Sequence, residues 1–323
     1  MKIYRGLAEL PADFGPSALT IGNFDGVHVG HRQILRRLKE LAAERGWKSS
    51  VLTFDPHPTR VVAPERAPRL MTSPERRAEL MREEGIEQVL VLPFTHEVAL
   101  LTPEQFVRDL LVEKLGARAV LVGHNFRFGH RQAGNVRVLA ELGGRYGFET
   151  VIVPAVVCRG RVVSSSGIRN LILAGSVSLA ARLLQHAYGL EGAVVSGRGV
   201  GSKETVPTLN LATTAEVIPA RGVYITRTRD LDDGREWESV TNIGYRPTFG
   251  ASHELSIETF LLEAPAGPPP RRIRVEFLRR IREERKFERP EDLKAQIFDD
   301  VRKARTWFRR AKAWVGRVPC TSS

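Results

Sequence analysis

Two histidines three residues apart, His28 and His31, follow a glycine-broken turn, Gly22-Asn23-Phe24-Asp25-Gly26. That turn continues the apolar run Ala18-Leu19-Thr20-Ile21. A helix beginning at the histidines sets both imidazoles on one side, about one turn apart, within reach of a single phosphate. Gly22 and Gly26 let the backbone come close to that phosphate, and the unpaired N–H groups of the first helical turn face it. The chemistry is the holding of a nucleoside triphosphate. A bare H-x-G-H also fits an ordinary strand-turn-helix connection with two surface histidines. The strand before it and the Gly-Asn-Phe-Asp-Gly turn favour the phosphate.

A second cluster runs from Arg161 through Ser164-Ser165-Ser166-Gly167-Ile168-Arg169. Hydroxyls at a helix start, with arginines on either side, suit the far end of a triphosphate. Gly123-His124-Asn125-Phe126-Arg127-Phe128-Gly129 combines an amide, a cation and two aromatics, groups that stack on a planar ring and touch a phosphate. Further on, Thr208 and Asn210 alternate onto one face of a strand and offer two oxygens to a hard cation such as Mg²⁺. Glu258, in a β-patterned stretch, is placed to take a proton from an alcohol.

These groups need elements to hold them. Up to about residue 184, apolar runs at Ser50–Phe54, Gln88–Pro93, Ala117–Val122 and Thr150–Val153 alternate with helical segments. Ser73-Pro74-Glu75 reads as an N-cap, a first helical proline and an early acid, and Thr102-Pro103-Glu104-Gln105 as a capping box. Gly85 and Gly116 sit where helices stop. The pattern predicts a doubly wound, Rossmann-like parallel sheet whose ligand lies beyond the carboxyl ends of the strands.

From residue 185 to 323 the texture changes to short β-like pieces, Gly192–Ser196, Gly222–Arg227, Ser239–Ile243, Glu254–Leu262 and Arg272–Leu278. They predict a small antiparallel β-barrel. A closing amphipathic helix opens at Pro290-Glu291-Asp292 and carries the stripe Leu293, Ile297, Val301 and Trp307.

Composition bounds the function. A hydrophobic fraction of 42% with 27% charged residues is that of a globular protein, and no apolar run reaches the length of a membrane span. Two cysteines, Cys158 and Cys320, are too few for a disulfide framework or a zinc site. With no signal-like apolar stretch after Met1, the expectation is a cytoplasmic protein. The excess of 49 basic over 37 acidic residues, +12, attracts polyanions. The basic pairs are spread and interleaved with Glu, which favours solvated helix faces over a nucleic-acid surface.

The N-terminal half resembles the FMN adenylyltransferase (FAD synthetase) module of bacterial bifunctional riboflavin kinase/FAD synthetases. The resemblance rests on Gly22–His31, Phe54-Asp55-Pro56-His57-Pro58, Gly123–Gly129 and Ser164–Arg169, where serine replaces the family's threonine. An H-x-G-H alone would point equally to pantetheine-phosphate, nicotinate or glycerol-phosphate nucleotidylyltransferases. Residues 185–310 are similar to the riboflavin kinase module, through Pro207-Thr208-Leu209-Asn210, Pro219–Tyr224, Asn242–Gly250, the Glu258 strand and Val275-Glu276-Phe277.

The resemblance implies ATP and Mg²⁺ at both sites, riboflavin and FMN as substrates and FAD as product. His28, His31 and Glu258 would be catalytic. Gly22, Asn23, Phe24, Asp25, Gly26, Ser164, Ser165, Ser166, Arg169, Gly201 and Lys203 would bind nucleotide, with Thr208 and Asn210 on the metal. The flavin is expected at His57, Asn125, Phe128, Arg161 and Tyr224. The implied partners are these small molecules, without nucleic acid or membrane, in a chain open to homo-oligomer formation. One departure is that Ser202 and Thr205 replace the arginine and glycine of the family's nucleotide loop. It leaves, as an alternative, an FAD synthetase whose barrel binds flavin but phosphorylates it weakly.

Overall fold

Residues Ser17–Ile21 are buried at every position, the mark of a strand covered on both faces. In the computed structural model, which describes residues 1–158, 160–195, 208–247, 253–265 and 267–313, this strand is central to a six-stranded sheet. The sheet comprises β1 (Lys2–Tyr4), β2 (Ser17–Ile21), β3 (Lys48–Asp55), β4 (Gln88–Pro93), β5 (Ala117–Gly123) and β6 (Glu149–Val153), in the order β1-β4-β3-β2-β5-β6. Every pairing is parallel. Helix α1 (Val29–Arg45) and helix α2 (Pro74–Glu83) bury Leu35, Leu38, Leu80 and Met81 against one face. The π-helical turn Phe106–Lys114 and α3 (Val136–Tyr146) cover the other, around Phe106, Leu111 and Leu139. This is the doubly wound sheet that the alternation predicts.

Local signals explain the boundaries. Ser73 accepts a hydrogen bond from the Arg76 N–H, and Thr102 with Gln105 forms a reciprocal capping box. Gly85 and Gly116 adopt positive φ, +82° and +55°, where the preceding helical turns end. The chain leaves β2 for β3 and β4 on one side and returns to β5 and β6 on the other. The crevice at that reversal, between β2 and β5, is where such sheets bind ligands.

The chain divides into two compact units, Met1–Ser165 and Ser166–Ser323. In the second, β7 (Tyr188–Val195), β8 (Thr208–Ala212), β9 (Gly222–Asp230), β10 (Glu236–Pro247), β11 (His253–Leu261) and β12 (Arg272–Arg282) close an antiparallel barrel in the order β7-β8-β11-β10-β9-β12. Its interior holds Tyr188, Tyr224 and Phe277 beside a buried belt of hydroxyls. Thr226 bonds both Ser239 and Thr241 at 2.8 Å, and Thr241 bonds Thr259 at 3.0 Å, so each polar oxygen inside is satisfied by a neighbour.

Helix α4 (Ser165–Leu173) links the units in sequence, and α5 (Val177–Leu184) belongs with the barrel, Ser178 donating to the Leu278 carbonyl at 2.7 Å. Helix α6 (Pro290–Ala313) lies on the outer face, where Val301, Ala304, Trp307 and Phe308 meet Val223, Ile225 and Val240. Among the described residues no helix is long and apolar enough to cross a membrane.

Candidate active sites

The loop after β2 is held in an unusual backbone course. Phe24 and Val27 have φ of +51° and +41°, and Gly26 has +82°. Such angles are costly for a phenylalanine and more so for a β-branched valine, so burial of both side chains must hold them there. The Asp25 carboxylate contributes, accepting from the Met71 N–H at 2.9 Å, the Thr72 N–H at 3.1 Å and the Thr72 hydroxyl at 3.1 Å. These bonds turn Asp25 towards the scaffold, so its carboxylate shapes the loop.

His28 is the N-cap of α1. Its Nδ1 accepts from the His31 N–H at 3.3 Å, which places the ring proton on Nε2. The two rings stack with centroids 3.7 Å apart. Gly30 makes room for this: a Cβ there would lie 3.2 Å from His28 Cε1. Burial lowers the His28 pKa to about 4, and burial beside His28 holds His31 well below the ordinary imidazole value. Both rings are therefore neutral at pH 7, and each carries one ring N–H without formal charge.

Two other predicted residues, His57 and Ser165, meet this loop. Asn23 Nδ2 lies 2.9 Å from His57 Nε2, joining the loop to the Phe-Asp-Pro-His-Pro stretch. The Ser165 hydroxyl donates to the Asp25 carbonyl at 2.9 Å, so the serine box begins against the histidine loop, although 140 residues separate them. Ser164 is exposed beside it, Ser166 follows in α4, and Arg169 stands one helical turn on from Ser165. Asn125 is exposed just beyond the carboxyl end of β5, at the sheet's reversal.

Phe128 goes elsewhere, buried between Phe106 and Phe126 in the core. Arg161 is exposed on the small hairpin of Val157–Cys158 with Arg161–Val162. Sequence reasoning missed Arg77, treated as half of a surface pair. It is buried, and its Nη1 donates to the Asn23 carbonyl at 2.8 Å. A cation in the first turn of α2, where the helix end disfavours it, was the available signal.

In the barrel, Glu258 stands in register between Asn210 of β8 and Asn242 of β10. It lies on the outer face, where Ser256 donates to its Oε1 at 3.0 Å. A cavity of about 210 Å³ opens there beneath α6, lined by Asn242, Glu258, Phe260, Glu284, Phe287 and Val301 among others. Apolar walls with a few polar groups suit a planar organic ligand. Glu284 and Phe287 were not foreseen; Glu284 lies so close over Gly244 that a Cβ there would collide with its carboxylate.

Thr208 and Asn210 share a face of β8, flanking buried Leu209. Their hydroxyl and amide oxygens are hard donors of the kind that fits Mg²⁺. The described residues hold no cluster of three His, Cys, Asp or Glu side chains able to bind a metal unaided, so substrate phosphates would complete the shell. Tyr224 faces the barrel interior, fully buried, with its hydroxyl donating to the Ala220 carbonyl; its neighbour Val223 is the one that lines the cavity. Gly201, Lys203, Ser202 and Thr205 lie outside the described residues.

Known proteins share both halves. A family model described as FAD synthetase matches residues 10–167, and one described as riboflavin kinase matches residues 184–308. The bifunctional riboflavin kinase/FMN adenylyltransferase of Pseudomonas fluorescens is 36% identical over 305 residues, covering 94% of this chain and 97% of that protein. The chain belongs to this bifunctional family. A second member, from Escherichia coli (strain K12), is 35% identical over 310 residues and covers 95% of this chain and 98% of its own.

The fold is shared as well. The crystal structure of a macrolide-efflux protein from Streptococcus pneumoniae matches with a TM-score of 0.84 at 25% identity, over 95% of this chain and all of that one. That structure and the two family members each match along both the parallel-sheet unit and the barrel.

Proposed function

We propose that the chain makes FAD in two ATP-dependent steps, phosphorylating riboflavin to FMN at the Glu258 cavity and adenylylating FMN at the His28–His31 loop. The observation that carries the reading is that each half holds the group its chemistry requires. In the barrel half, a carboxylate lines the cavity beneath α6. In the other half, two neutral imidazoles, with the Ser165 hydroxyl on the same loop, follow the strand beside the sheet's reversal, which supports a phosphate site there.

The two sites differ for a chemical reason. Riboflavin presents a neutral alcohol, so Glu258 takes the proton of the ribityl 5′-hydroxyl as its oxygen bonds to the γ-phosphorus of ATP and ADP leaves. FMN presents a phosphate that is already an anion, so its oxygen attacks the α-phosphorus without a base and pyrophosphate departs. There the protein positions and stabilises. His28 and His31 donate to the reacting phosphates, Asn125 holds the FMN phosphate, and Ser164, Ser165, Ser166 and Arg169 hold the β- and γ-phosphates. Thr208 and Asn210 would hold Mg²⁺ in the barrel, where the ion offsets phosphate charge. The proposed setting is the cytoplasm, where ATP is made available, and a homo-oligomer is compatible with the reading.

The test is a time course with purified protein, riboflavin, ATP and Mg²⁺, the flavins being separated by chromatography. FMN followed by FAD supports both activities. FAD formed only from added FMN would reject the kinase, and no flavin product would reject the whole reading.

A further inference from the structure

Arg76 and Arg77 adjoin in sequence and part in structure. Arg76 stays beside Glu79, 2.8 Å away. Arg77 is 3% exposed, with Nη1 on the Asn23 carbonyl and with Nε buried and lacking any hydrogen-bond partner. A desolvated guanidinium with an idle donor is expensive, and the first turn of a helix is the poorest place for a cation. The fold keeps it nonetheless, against the backbone of the histidine loop at Asn23.

The charges around it narrow its task. The other buried arginine described in this unit, Arg32, forms a buried ion pair with Glu84, which Arg36 also meets. Asp25, Asp55 and Glu75 attract Arg77 without a hydrogen bond or close ion pair to it, and the Asp25 carboxylate is already committed to Met71 and Thr72. The imidazoles, being neutral, bring donors to a triphosphate and no positive charge. A loop that binds a polyanion through neutral groups gains from a fixed cation behind it, because low-dielectric surroundings transmit the field with little screening.

Resting on the adenylyltransferase reading above, we infer that Arg77 is a positioning residue for adenylyl transfer. Its guanidinium pins the Asn23 carbonyl, so that the loop's N–H groups face the nucleotide, and it supplies the loop with the positive charge that the histidines lack. It touches the loop, and the loop touches the substrate.

The experiment uses the full chain, in which riboflavin phosphorylation reports folding in the same sample as FAD formation. Arg77→Met keeps bulk and removes charge; Arg77→Lys keeps charge and loses the planar fork. Arg77→Met is expected to lower kcat for FMN adenylylation by about tenfold or more and to raise the KM for ATP, since an interaction of this kind strengthens as charge develops. Arg77→Lys is expected to restore most of the rate. Both should phosphorylate riboflavin within about twofold of wild type, because the proposed kinase groups all belong to the barrel.

Wild-type FAD formation by Arg77→Met overturns the inference, as does an Arg77→Lys rate as low as that of Arg77→Met. Parallel loss of both activities also overturns it, since the role would then be one of fold alone. A wild-type chain that makes no FAD overturns the proposed function, and this inference with it, before any variant is compared.

Discussion

His28 and His31 stack ring on ring, 3.7 Å between centroids and 12° from parallel, at the first turn of the helix they open. Water is excluded from the His28 ring by that stack and by its burial, so protonation is penalised and the pKa falls from 6.5 to about 4. The unfolded chain then binds more protons than the folded one below pH 6.5. Stability from this group is complete above 6.5 and is lost as pH falls towards 4, in all about 3 kcal/mol for a shift of this size. Thermal unfolding of the full chain between pH 7.5 and 4.5 checks it. His28→Phe, which keeps a ring but no proton site, should show a shallower fall; an unchanged slope would contradict the assignment.

Gly30 illustrates the opposition of stability and activity. A Cβ at this position would press on the His28 ring at 3.2–3.3 Å, although alanine is the better helix former. Gly30→Ala should therefore leave thermal stability equal or slightly raised while cutting FAD formation by about tenfold. Melting temperature and FMN turnover, measured on one preparation, give the answer.

Asp25→Asn should act mainly on stability. It weakens three hydrogen bonds to a charged acceptor, and loss of such a set costs roughly 2–3 kcal/mol. Chemical denaturation should show that loss, with riboflavin phosphorylation intact at low temperature.

Asp300 fastens α6 over the barrel cavity. It is buried and accepts from Arg282 Nε at 2.9 Å, Arg282 Nη2 at 2.8 Å and Gln296 at 3.1 Å. Asp300→Ala takes the carboxylate from a half-buried Arg282 that keeps only the Glu283 carbonyl and the Phe287 ring, a loss of roughly 1–3 kcal/mol. The KM for riboflavin should rise severalfold, while adenylylation of added FMN continues. Steady-state kinetics of the two reactions separate these effects.

Much of this was legible in the chain because local chemistry fixed it. The strand, the glycine-broken turn, Ser73 as N-cap and the Thr102–Gln105 box all express rules that operate within four residues. What local rules left out depends on partners distant in sequence. The Asp25 carboxylate's bonds to residues 71 and 72 form only in the tertiary fold. Tyr224 and Val223 alternate across one strand, and only barrel closure decides which of them meets the cavity. Arg77 resembled any basic helix pair until the packing of α2 on the sheet buried one member.

Two variants assayed singly and as an equimolar mixture, each supplied with riboflavin, ATP and Mg²⁺, test the central claim most directly. His28→Ala should accumulate FMN, Glu258→Gln should leave riboflavin unconverted, and the mixture should produce FAD, because each protein supplies the site the other lacks. FAD from His28→Ala alone, or none from the mixture, would contradict the account of two separate sites on one chain.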